Sequence, residues 1–116
     1  MPVAIWSAII FVLSSLPAAA YPGSKIPGLD KVVHVGIYGV WGALCVRALL
    51  ARAGATATAF SLVFRAAALA TLYGITDELH QLFVPTRSAD VRDVVADALG
   101  GLLGALVAVA IARRRN

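Results

Sequence analysis

Apolar residues along this chain come in four long runs, separated by short links rich in turn formers: Val3 to Ala20, Val32 to Leu50, Leu62 to Phe83 and Val91 to Ala112. A helix rises 1.5 Å per residue, so about 20 residues cross about 30 Å of hydrocarbon, and each run approaches that length. Between them lie "YPGSKIPGLDK", with two Pro-Gly pairs, "ARAGATAT" and "VPTRSA". The links read as turns. The pattern predicts an all-α membrane protein of four transmembrane helices in a compact bundle, a single domain over residues 1–116 without internal repeat or low-complexity tail.

Composition strengthens that picture. The chain has 116 residues, 60% of them hydrophobic and 14% charged, and its mean hydropathy of +0.86 lies outside the range of soluble domains. This length excludes a large enzyme with a soluble half. The one cysteine, Cys45, rules out an internal disulfide and sits mid-run, where packing is its expected role. The first run ends in Ala18-x-Ala20, a pair resembling a signal-peptidase site, but no basic segment precedes it. Trp6 and Tyr21 stand at its ends as interfacial anchors would, so the expectation is a retained helix.

Charge sets the expected orientation. With four spans, the termini and the second link share a side, which collects Arg47, Arg52, Arg65, Arg113, Arg114 and Arg115; Lys25, Lys31, Arg87 and Arg92 fall on the other. The positive-inside rule places the first side in the cytoplasm of a bacterial membrane. The same rule accounts for the net charge of +4, so no nucleic-acid partner is implied. All six acids, Asp30, Asp77, Glu78, Asp90, Asp93 and Asp97, fall toward the outer side, as do His34 and His80.

Spacing gathers these residues into stripes. Lys31, His34 and Tyr38 step by three and four, Tyr73, Asp77 and Gln81 by four and four, and Asp90, Asp93 and Asp97 by three and four. Counting inward from the outer helix ends puts the polar groups at matching depths of about 5 to 10 Å. A carboxylate facing lipid costs on the order of 2.5 to 3.5 kcal/mol, so the stripes are expected to turn toward one another and line an outward-facing polar pocket. Ser88 or Asp90 is the expected N-cap of the fourth helix. Gly100-x-x-x-Gly104 offers a smooth strip for close helix packing within the monomer.

"DKVVHVGIYGVWGAL" (residues 30–44) and "DELHQLFVPTRSADVRDVVADALGGLLG" (residues 77–104) resemble the VanZ-like family of small bacterial membrane proteins. The family pattern, approximately D-K-x-x-H-x-x-x-Y, then D-E-x-x-Q-x-F-x-P-G-R and D-x-x-x-N-x-x-G, falls on Asp30, Lys31, His34 and Tyr38, on Asp77, Glu78, Gln81, Phe83, Pro85 and Arg87, and on Asp93 and Gly100. With their helices the two blocks take in most of the chain. Thr86 stands where the family usually has Gly, and Asp97 where it usually has Asn. The resemblance implies a four-helix integral membrane protein, and its namesake is associated with low-level resistance to teicoplanin and related glycopeptide antibiotics.

The leading expectation is an envelope protein whose pocket binds a lipid or lipid-linked cell-wall intermediate. Its ligand-binding residues would be Lys31, His34, Tyr38, Asp77, Glu78, Gln81, Arg87, Asp93 and Asp97, with Lys31 and Arg87 holding phosphate or carboxylate. A second reading is a membrane-embedded hydrolase or transferase on such a lipid, drawing on His34, Tyr38, Asp77, Glu78 or Asp93. Against it, no serine nucleophile is paired with histidine. The third, a proton- or ion-coupled transporter, meets helices that offer only apolar and small residues inward of Tyr73 and Asp97. His34, Asp77, Glu78, His80, Asp93 and Asp97 have metal-ligating side chains. H-E-x-x-H is absent and Asp77-x-x-His80 is half of a di-iron motif, so neither metal nor cofactor is expected. His80, about 100° from Gln81 on its helix, is expected to face interfacial water. Oligomeric state is left open.

Overall fold

A computed structural model describes residues 2–17, 26, 28–53 and 56–115. Four helices run in chain order: α1 (Pro2–Ser14), α2 (Leu29–Ala53), α3 (Ala59–Gln81) and α4 (Val91–Arg114). They form an all-helical bundle measuring 47 × 23 × 20 Å. The last three are long and apolar enough to cross a membrane.

The first helix departs from its expected extent. It stops at Ser14, short of Ala20, and its 13 residues cover about 20 Å. Ser15 turns its hydroxyl back onto the Phe11 carbonyl at 2.8 Å. Pro17 lacks an N–H and disfavours helical backbone in the residue before it, so the chain leaves the helix here. Ala18, Ala20, Tyr21 and Lys25 lie outside the described residues. Trp6 is not an interfacial anchor: its indole Nε1 points inward and donates to the Ile37 carbonyl at 2.9 Å.

The other helices match their runs with shifted ends. α2 begins three residues earlier and ends three later than predicted. α3 opens on Thr58, whose hydroxyl caps Ser61 N–H at 3.1 Å, and closes at Gln81, two residues before Phe83. α4 runs two residues further, to Arg114. Its N-cap is Asp90, not Ser88.

α2 and α4 approach most closely, because glycines face backbone there. A Cβ on Gly104 would overlap the Gly39 carbonyl, and one on Gly100 would overlap the Val35 carbonyl. The glycine strip is thus used inside the chain, which permits dispersion contact at backbone distance. Away from the polar end the core consists of Trp41, Cys45, Val46, Leu62, Ala66, Ala70, Ala105 and Val109. Phe60, Phe64, Leu72, Leu103 and Val107 point outward. Such an apolar exterior suits a lipid surround and would be an aggregation hazard in water.

Candidate functional site

The polar stripes converge at one end of the bundle. His34, Tyr38, Asp77, Glu78, Gln81, Asp93 and Asp97 are all buried, contributed by α2, α3 and α4 together. Helical periodicity brings this about: His34 and Tyr38 are one turn apart, as are Asp93 and Asp97, while Asp77, Glu78 and Gln81 share one face of α3. The matching depths counted from the sequence place them side by side.

His34 is the junction. Its Nδ1 lies 2.6 Å from Asp97 Oδ1, and its Nε2 lies 3.9 Å from Asp93 Oδ2. The Tyr38 ring lies 6.5 Å away and nearly parallel. Asp97 fits because Gly74 on α3 has no side chain: a Cβ there would sit 2.7 Å from Asp97 Oδ2. Glu78 Oε2 accepts from Asp90 N–H at 2.9 Å, which ties the end of α3 to the start of α4. Among the described residues, four buried side-chain atoms have no hydrogen-bond partner: Tyr38 Oη, Glu78 Oε1, Gln81 Oε1 and Asp97 Oδ2. Leaving such groups unsatisfied is costly, and this many in one cluster points to a guest or to ordered water.

Lys31 stands at the rim, its side chain 30% exposed. Its ammonium contacts Asp93 directly and pairs with Asp30 at 2.9 Å and Asp90 at 3.2 Å. Asp90 also pairs with Arg92 at 3.1 Å. Hydrogen bonds from Arg92, then the Lys31 ammonium, hold the Asp90 carboxyl down at about 2. Lys31 is therefore already engaged by three carboxylates. Arg87 donates from Nη1 to the Leu16 carbonyl at 3.0 Å.

α1 closes over the site through residues that the sequence did not single out. Gln81 Nε2 donates to Ser14 Oγ at 3.3 Å, Tyr73 Oη donates to the Ser7 carbonyl at 2.7 Å, and Trp41 Nε1 donates to Ser7 Oγ at 2.8 Å. His80 does not simply face water: its Nε2 lies 2.9 Å from Ser15 Oγ, a serine–histidine pair that the sequence did not suggest, and its ring stacks on Phe11 at 4.6 Å. The readable signal was small: Ser7 and Ser14, two helical turns apart in an apolar run, the second shortly before Pro17. Between Ile10, Leu13, Ser14, His34, Ile37, Tyr38 and Asp77 lies a cavity of about 10 Å³. That is room for one water molecule.

The arrangement can hold a proton, a cation or donor-bearing groups, since three of its four unpartnered atoms are acceptors. An imidazole braced by a carboxylate is also a familiar base arrangement. Inward of Tyr38, Tyr73 and Asp97 the described core is apolar apart from the Trp41 indole.

No curated protein and no solved structure matches the chain. The family model described as VanZ/LLP1 matches residues 2–113, which span all four helices and every residue of the buried cluster, and the chain therefore belongs to the VanZ family of membrane proteins.

Proposed function

We propose that residues 1–116 act as one domain in the bacterial cytoplasmic membrane, with the termini in the cytoplasm and the polar cluster toward the outside. There the cluster takes up the head of a lipid or lipid-linked cell-wall intermediate, and so limits the access of teicoplanin-type glycopeptides to it. The observation that carries this reading is the set of four buried, unpartnered polar atoms on α2, α3 and α4. Intramembrane polar groups are costly unless they are used. Three acceptors and a phenol suit a head bearing hydroxyl or ammonium donors.

Lys31 is engaged by three carboxylates, so its charge is compensated before a head group arrives. A cavity of about 10 Å³ admits no head group, and uptake requires α1 to swing aside. α1 is suited to this: it is the shortest helix and is joined to the others by hydrogen bonds at Trp6, Ser7, Ser14 and Ser15.

A second reading is favoured by the His34–Asp97 contact, which would orient an imidazole as general base in a hydrolase or transferase acting on the same lipid. Teicoplanin susceptibility in a sensitive host tests the first reading. Cells expressing the protein should be less susceptible, and His34→Ala and Asp77→Asn should abolish the difference while membrane abundance is unchanged. Equal protection by both variants removes the cluster from the function.

A further inference from the structure

We infer that His34, Glu78 and Asp97 form a site for one divalent first-row metal cation, Zn²⁺ or Mn²⁺. Each offers a donor atom, the three donors lie within 4.8 Å of one another, and all three residues are buried. One nitrogen and two carboxylate oxygens form a mixed donor set that Zn²⁺ and Mn²⁺ both accept, whereas Mg²⁺ and Ca²⁺ favour oxygen alone.

The partners of each residue are arranged as a metal site needs. Asp97 Oδ1 lies 2.6 Å from His34 Nδ1, a contact that an ion bound to both would replace, while its Oδ2 has no partner among the described residues. Glu78 keeps Oε2 on the Asp90 N–H, while Oε1 has no partner. In Glu78 one oxygen is anchored and the other is left to ligate, the way surrounding hydrogen bonds orient ligands in known metal centres, and His34 would ligate through Nδ1, the nitrogen that faces Asp97. The exposures of Asp97 and Glu78 are 0% and 5%. Tyr38, 1% exposed and with its ring 6.5 Å from that of His34, carries a hydroxyl with no partner among the described residues. Gly74 leaves the space that Asp97 Oδ2 occupies.

Charge points the same way. Lys31 serves Asp30, Asp90 and Asp93 at the rim. Glu78 and Asp97 share His34, so when both are ionised they stay negative whichever state the imidazole takes. A divalent cation with a neutral imidazole brings the trio to neutrality, the state favoured in a low-dielectric interior. Bond lengths of about 2.0 to 2.2 Å bring donors to about 3 to 3.5 Å apart, so the His34–Asp97 pair, now 2.6 Å apart, must open slightly around the ion.

This inference goes beyond the lipid reading and is separable from it: a cation bound without lipid leaves it standing. The experiment uses the purified, tag-free full chain in detergent, stripped with chelator, with Zn²⁺ titrated by calorimetry and Mn²⁺ by electron paramagnetic resonance. The expected result is one equivalent of saturable binding. Glu78→Gln and Asp97→Asn, both isosteric, should weaken it by about tenfold or more while helicity and elution volume are kept. Asp30→Asn, at the rim, should leave affinity unchanged. No saturable binding by the wild type at millimolar metal, or equal affinity in both folded ligand variants, overturns the assignment.

Discussion

His34 Nδ1 and Asp97 Oδ1 are 2.6 Å apart, with side chains 3% and 0% exposed, and this contact locks α2 to α4 at the level where α3 brings in Glu78. Removing one member of a buried pair leaves the other without compensation, at a cost of about 3 to 5 kcal/mol. Asp97→Ala should therefore lower the thermal midpoint in detergent sharply. Asp97→Asn keeps an acceptor for the imidazole and removes a buried charge, so its stability should stay within about 1 kcal/mol of the wild type. A thermal-shift series on the two variants checks the contrast.

Thr86 has φ = +66°, a left-handed conformation that a β-branched residue adopts at a cost of about 1 to 2 kcal/mol. The family's usual glycine at this position meets no such cost, though it has more unfolded-state freedom to lose. Thr86→Gly should raise stability by roughly 0.5 to 1 kcal/mol, read as a higher thermal midpoint.

Gly104 faces the Gly39 carbonyl with no room for a side chain. Gly104→Ala forces α2 and α4 apart and should cost about 2 kcal/mol or more. A faster-exchanging α2–α4 interface in hydrogen-exchange mass spectrometry would mark the damage as local to that contact.

Asp90 caps α4 and has its carboxyl held at about 2. A carboxyl whose folded value is depressed adds stability above its unfolded value of about 3.9, and that stability is lost as pH falls through the folded value. Asp90→Ala should cost about 1 kcal/mol at pH 7, and the gap to wild type should narrow as pH drops from about 4 toward 2. Equal gaps across that range would show that charge plays no part in the cap.

Much of this site was legible because helices make depth and face countable. The steps from Lys31 through His34 to Tyr38 and from Asp93 to Asp97 fix one face each, and the cost of a lipid-facing carboxylate fixes where those faces turn. What could not be read was pairwise. That His34 takes Asp97 through Nδ1, that Glu78 spends one oxygen on the Asp90 N–H, and that Lys31 is consumed by three acids depend on how α2, α3 and α4 rotate against one another. Gly74 was missed because its role is to be absent where Asp97 needs space. α1 was read as too long, since hydropathy runs on past Ser14 while Pro17 and the serine back-bond end the helix.

Native mass spectrometry of the purified protein with a lipid-linked cell-wall intermediate such as lipid II tests the central claim most directly. The wild type should retain the intact lipid in preference to the same isoprenoid chain without its head, and Asp77→Asn should lose that preference while staying folded. Equal retention of headed and headless lipid, or an unchanged preference in the variant, would contradict a head-binding role for the buried cluster.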